Sequence, residues 1–141
     1  MIRKLLLLLV FGLFSIGVMG QAIPIRVVMA AEPNNEVALR FKTAIENNIE
    51  LSERFSLWTG APFDLPKNGI LIEMHSIQLD LKNGDRTGAA VLIEALQPSP
   101  TERGYFKNRY LEMWSIGKDD SVSETALNFL VSMRRELAKH P

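Results

Sequence analysis

The chain has 141 residues, of which 47% are hydrophobic and 23% charged, with 16 basic side chains, 16 acidic side chains and no cysteine. This composition excludes a disordered tail, because the apolar content is too high and the charge too balanced. The lack of cysteine excludes a disulfide scaffold, a cysteine-ligated zinc site, a thiol nucleophile and a lipid anchor on cysteine. The length allows one domain, with or without a targeting segment.

The first 22 residues have the layout of an export signal. Two basic residues near the start precede residues 5–18, which carry no charge, and Gly20 and Ala22 place small side chains at −3 and −1 of a cut after Ala22. The apolar run is shorter than the ~20 residues that span a bilayer. We therefore predict a signal peptide cleaved after Ala22, with cuts after Gly20 or Ala30 as alternatives, in preference to a retained membrane anchor.

Cleavage would leave residues 23–141 as a single domain. This segment has 14 basic and 16 acidic residues, because two basic residues are lost with the signal. A slightly acidic chain lacks the basic surface that is expected of a nucleic-acid-binding protein. We expect a periplasmic or secreted protein that has no stable membrane span after cleavage and does not bind nucleic acid.

The first half of this domain predicts a strand, a helix and a second strand. Residues 23–30 are apolar and β-branched, which is typical of a strand. Asn35 is a candidate N-cap for a helix whose apolar residues recur at helical spacing and which ends between Asn48 and Ser52. Residues 54–59 predict a short strand, in preference to a continuation of the helix.

The clearest local signal is a long hairpin. Residues 70–82 and 87–97 are β-rich, and the Asn83-Gly84 pair between them is typical of a type I′ turn. The apolar phase of the first run changes near His75-Ser76. Either a bulge there places all of its apolar side chains on one face, or the strand is buried on both faces at one end. Residues 105–116 predict the next strand of the sheet.

The last segment is an amphipathic helix that begins with a capping box at Ser121 and Glu124. Its apolar stripe consists of Val122, Ala126, Phe129, Leu130, Met133 and Leu137. The order β-α-β-β-β-β-α predicts an α+β fold, a two-layer sandwich in which both helices cover one face of a mostly antiparallel sheet. The other face stays uncovered unless polar side chains or a partner occupy it.

Few residues offer catalytic or metal-binding chemistry. The chain has no paired-histidine motif, no nucleophile elbow and no phosphate-binding glycine loop. A two-residue hairpin loop would place Glu73 opposite Glu94, with His75 on the same face, and facing carboxylates can serve in acid-base catalysis. The alternative is that the glutamates splay into water beside lysine or arginine. We predict no catalytic residue, no metal site and no cofactor.

Residues 103–110 combine three cations with three aromatic side chains. Arginine, tyrosine and tryptophan are enriched in the energetic centres of protein interfaces. The predicted partner-binding residues are Tyr105, Lys107, Arg109, Tyr110 and Trp114. The alternative is that the aromatic side chains complete the core. Trp58, Pro62 and Phe63 form a second apolar loop cluster that is open to the same two interpretations.

The layout resembles that of a group of bacterial envelope proteins. The resemblance covers most of residues 23–138 and rests on the order of IPIRVVMA, a helix, RFSLWT, GILIEMHSIQLDLKNGD and DDSVSETALNFLVSMRREL. The group includes the N-terminal domain of the translocation protein TolB, the curli-secretion lipoprotein CsgG and the penicillin-binding-protein activator LpoB. It implies an accessory domain that acts by protein contacts, often in assemblies and without catalysis, and it implies no specific residue. The two lipoproteins are anchored through a cysteine, which this chain lacks.

These observations favour an exported periplasmic accessory protein that binds an envelope protein or further copies of itself and is not an enzyme. A domain that binds a small molecule or a glycan on the uncovered sheet face is the alternative. A small hydrolase built on Glu73, His75 and Glu94 is a third hypothesis. It requires these three side chains to lie within a few ångströms of one another on one exposed face.

Overall fold

A computed structural model describes residues 20–30, 35–80, 87–117 and 120–139. Most of the predicted signal segment, the Asn83-Gly84 turn and His140 lie outside these residues. The elements are β1 (Ile23–Met29), α1 (Glu36–Glu50), β2 (Phe55–Leu57), β3 (Ile70–Asp80), β4 (Thr87–Pro98), β5 (Phe106–Gly117) and α2 (Val122–Lys139). This is the predicted order of strands and helices. None of the described helices is long and apolar enough to cross a membrane.

The five strands form one mixed sheet in the order β2-β1-β3-β4-β5. β1 pairs in parallel with β2 over three residues and with β3 over five. The antiparallel ladders are longer, with ten paired positions between β3 and β4 and eleven between β4 and β5. The parallel pairing of β1 with β2 follows from α1, because a helical crossover returns the chain to the same end of the sheet. Residues 58–69 return the chain a second time, so β3 is also parallel to β1.

Both helices pack on the same face of the sheet and share one core with it. Phe41 of α1 and Phe129 of α2 are fully buried there, together with Ile25, Ile72 and Ile93 from the three central strands. The apolar stripe predicted for α2 faces this core, either buried or packed against it. The two-layer α+β sandwich is therefore confirmed, and burial of these stripes is the main term that stabilises it.

All of β3 is described, and its register with β4 runs without a shift. The alternative of a bulge near His75-Ser76 is therefore wrong. The other alternative is confirmed, because Ile70, Leu71 and Ile72 are all at most 5% exposed and β3 begins apolar on both faces. The phase of the apolar side chains changes along β3 because later ones point away from the core.

The start of α1 is held by Asn35, as its position before the apolar repeat predicted. The Asn35 side chain accepts a hydrogen bond at 3.1 Å from the backbone N–H of Ala38, and Asn35 is only 4% exposed. This bond satisfies one of the N–H groups that the first helical turn leaves without a partner. The helix ends at Glu50, within the predicted interval.

Tyr110 connects β5 to α2. Its ring centroid lies 6.1 Å from that of Phe129, and its hydroxyl donates a hydrogen bond to the carboxylate of Glu112. Burial raises the pKa of the Tyr110 phenol well above its ordinary value. The hydrogen bond and the negative charge of Glu112 raise this pKa further, as does the charge of Glu136.

We expect the Asn35→Ala substitution to lower the free energy of unfolding by about 1 kcal/mol, because the capped N–H loses its partner. The matched control is Asn35→Ser, which keeps a side-chain oxygen at the cap and should lose much less. Urea unfolding of the two variants and the parent chain measures the difference. An equal loss in both variants would show that the cap does not stabilise α1.

The raised pKa of Tyr110 predicts a loss of stability in alkali. In the unfolded chain the phenol ionises near its ordinary pKa of 10, whereas in the folded chain it keeps its proton. The contribution of Tyr110 to the free energy of unfolding is therefore complete below pH 10 and is lost as the pH rises further. In urea unfolding between about pH 9 and about pH 11, the Tyr110→Phe variant should therefore lose less stability than the parent chain. The Tyr105→Phe variant, which replaces the exposed tyrosine, should follow the parent. The opposite order would refute this explanation.

Candidate functional site on the open sheet face

Strand alternation assigns every other side chain of β3 to the side of the sheet that α1 and α2 do not cover, here called the open face. Met74 and Ser76 are buried on the helix side, where Met74 belongs to the core. Glu73, His75 and Ile77 consequently point to the open face. The burial of the core side chains thus decides which chemical groups reach solvent.

Two facing glutamates and one histidine meet on the open face. Glu73 lies directly opposite Glu94, and His75 lies opposite Leu92, in the register that the sequence predicted for a two-residue hairpin loop. The Nε2 atom of His75 is 3.6 Å from Glu73 Oε1 and 3.6 Å from Glu94 Oε2. These side chains are 29% to 39% exposed. We call Glu73, His75 and Glu94 the Glu–His–Glu cluster.

A neighbouring strand orients one carboxylate of the cluster. Asn108 of β5 donates a hydrogen bond from Nδ2 to Glu94 Oε1 at 3.1 Å, which leaves Oε2 on the side of His75. Within the described residues, His75 is the ion-pair partner of both glutamates. Arg26, the cationic residue of β1, donates a hydrogen bond to the carbonyl oxygen of Trp58. Both carboxylates therefore converge on one imidazole.

The geometry that the hydrolase hypothesis requires is thus present, and hydrolysis itself stays an untested hypothesis beside the prediction of no catalytic residue. The role of Asn108 was not visible in the sequence. It lies 14 residues from Glu94 along the chain and reaches it only through the pairing of β4 with β5. The pairing of β4 with β5 contains a register shift. Counting residues along the two strands from the loop that joins them therefore does not place Asn108 next to Glu94.

The open face also carries exposed apolar side chains. Ile77 and Leu79 of β3 are 67% and 39% exposed, and Leu111 and Met113 of β5 are 56% and 72% exposed. We call these four residues the apolar patch. The patch borders the Glu–His–Glu cluster, because Leu111 lies opposite Glu94 in the register. Large apolar side chains grouped on one surface are typical of interaction sites.

The predicted partner-binding residues do not form one surface. Tyr110 and Trp114 lie on the helix side and pack against the core, which is the alternative that the sequence left open for the aromatic side chains. Tyr105 and Lys107 are exposed. Arg109 is partly buried and is the extra residue of a bulge in β5. Whether any of the five contacts a partner stays a prediction.

Tyr105 lies instead beside Pro62 and Phe63, two of the three residues of the second apolar cluster that the sequence identified. Tyr105 and Phe63, which are 67% and 71% exposed, line a cleft of about 380 Å³ between two loops. Lys67 and Arg103 contribute cationic side chains to the same cleft. We call it the loop cleft. The structure therefore joins two loop segments that the sequence left about 40 residues apart.

No known protein family, curated protein or solved structure matches this chain. The resemblance to the layout of TolB, CsgG and LpoB accordingly stays a prediction, neither confirmed nor contradicted.

Proposed function

We propose that this chain is an exported, non-catalytic accessory protein that binds another protein of the cell envelope through its open sheet face. The observation that carries this proposal is the apolar patch, in which four large apolar side chains stand exposed on one sheet face. The export signal predicted in residues 1–22 supports a location in the periplasm or outside the cell.

Exposure of the apolar patch to water is unfavourable. A partner that covers the patch removes this surface from water, which favours binding. The patch is carried by paired strands of the sheet, so its backbone is already ordered before a partner binds and less conformational entropy is lost. Charged groups beside an apolar contact fix the orientation of a partner more than they raise its affinity. The Glu–His–Glu cluster supplies such groups at the border of the patch.

The proposal is tested by placing a photo-crosslinking amino acid at Met113 in the full chain, expressed with its own leader in its native host. The matched control position is Leu127 on α2, which is 50% exposed and lies on the opposite side of the sheet. We expect Met113 to form an adduct with one defined envelope protein, and Leu127 to form none. The Ile77→Lys substitution should abolish the adduct at Met113, whereas Val131→Lys on α2 should leave it intact.

The mass of the adduct distinguishes the partners. An adduct of two copies of this chain would identify the partner as the protein itself. The absence of any adduct at Met113, or the same adducts from Leu127, would refute binding through the open face.

A second candidate function is the binding of a small molecule or a glycan in the loop cleft. The observation that favours it is the convergence of two exposed aromatic rings, Phe63 and Tyr105, with two cationic side chains around one concave surface. Ligand sites are commonly concave, with aromatic walls and a few polar groups that orient the ligand.

Binding in the loop cleft predicts that envelope glycan fragments raise the melting temperature of the chain. At a ligand concentration of about 100 Kd, the stabilisation is about 2.7 kcal/mol. The Phe63→Ala and Tyr105→Ala double variant should lose this shift, and Leu51→Ala, at an exposed apolar residue outside the cleft, should keep it. No shift in the parent chain, or the same shift in the double variant, would count against this function.

A further inference from the structure

In contrast to the expectation from the sequence, we infer that the Glu–His–Glu cluster binds one divalent transition-metal ion, such as Zn²⁺, through Glu73, His75 and Glu94. The cluster offers one imidazole nitrogen and two carboxylates, a mixed set of ligands and not a group of acids alone. Imidazole favours zinc and related ions over Mg²⁺ and Ca²⁺, which prefer oxygen ligands only. This inference does not depend on the proposed partner.

The spacing of the donor atoms suits such an ion. One potential ligand atom from each residue lies within 4.8 Å of the other two, and His75 Nε2 lies 3.6 Å from an oxygen of each glutamate. Zn–ligand bonds of about 2.0–2.1 Å in tetrahedral geometry place neighbouring ligand atoms about 3.3 Å apart. Small side-chain rotations therefore bring the cluster to the spacing that a metal ion requires.

The charge of the cluster also suits a divalent cation. Glu73 and Glu94 stand directly opposite each other on adjacent strands, an arrangement in which like charges repel. A histidine that binds a metal does so as the neutral imidazole. Two carboxylates and one neutral imidazole carry a formal charge of −2, which one divalent ion neutralises.

The surroundings of the cluster are those of an open metal site. Asn108 holds one oxygen of Glu94 and leaves the other oxygen towards His75, which is the orienting role that hydrogen-bonding neighbours play around metal ligands. The three ligands are partly exposed, so the remaining coordination positions are accessible to water or to another ligand. With three protein ligands the ion would keep a further position accessible, unlike a structural zinc site, in which the protein fills all four positions.

The test is isothermal titration calorimetry with Zn²⁺ and, separately, Mg²⁺, on the full untagged chain after treatment with a chelator. We expect binding of one Zn²⁺ per chain and no heat from Mg²⁺ at the same concentration. His75→Ala should weaken Zn²⁺ binding by at least about tenfold, and Asn108→Ala by about tenfold. His140→Ala is the matched control, because it removes the other of the two histidines, and it should bind as the parent does.

Glu94→Gln separates a ligand role from a structural one. Because glutamine removes the repulsion from Glu73, the metal-free variant should melt at the same temperature as the parent or higher, yet Zn²⁺ should no longer raise its melting temperature. Nitrogen NMR of the imidazoles in the parent chain gives a readout that needs no substitution. Zn²⁺ should shift the resonances of His75 and not those of His140.

Each contrary result would overturn the inference. These results are the absence of Zn²⁺ binding to the parent chain, unchanged affinity in His75→Ala, and a Zn²⁺-induced shift that is confined to His140. A drop in the melting temperature of metal-free Glu94→Gln, with its response to Zn²⁺ retained, would assign Glu94 a structural role only.

Discussion

The unshifted register between β3 and β4 is the constraint on which the remaining structure depends. Side chains alternate between the two faces of a strand, so a slip of one residue would exchange the faces completely. Ile72 and Met74 are fully buried under the helices, and their burial holds the register in place. Glu73 and His75 must then emerge on the other side, where Glu94 meets them. The same burial therefore stabilises the fold and assembles the Glu–His–Glu cluster.

The open face combines the apolar patch with the Glu–His–Glu cluster, and the two proposals for this face are physically compatible. A protein partner would cover apolar side chains such as Met113. Their burial favours binding but does little to fix the orientation of the partner. A metal ion held by Glu94 and its neighbours would add a fixed, directional contact at the edge of that interface. Glu73, His75 and Glu94 point to the same face of the sheet as Met113, so such an ion would lie on the side from which a partner approaches.

The apolar pattern of β3 shows where interpretation of the sequence alone was insufficient. Periodicity is informative when only one face of a strand is apolar. In β3 the apolar residues Ile77 and Leu79 lie on the open face. The apolar pattern therefore changes face near His75, which is also the pattern that a bulge would produce. The bulge lies instead in β5 at Arg109. The polar and aromatic side chains there do not alternate strictly, so the sequence pattern gives no sign of it.

The sequence by itself determined the order of the elements, the apolar stripes of both helices and the Asn35 cap, and it placed Glu73 opposite Glu94 on the condition that β3 carried no bulge. Each of these depends on local chemistry or on counting from a turn whose residues are specific. Only the tertiary structure decided that Tyr110 points inward, that Asn108 reaches Glu94 and that two distant loops share a cleft. Those contacts join segments far apart in the chain, and their geometry depends on a bulge and on helix packing, which no short sequence pattern encodes.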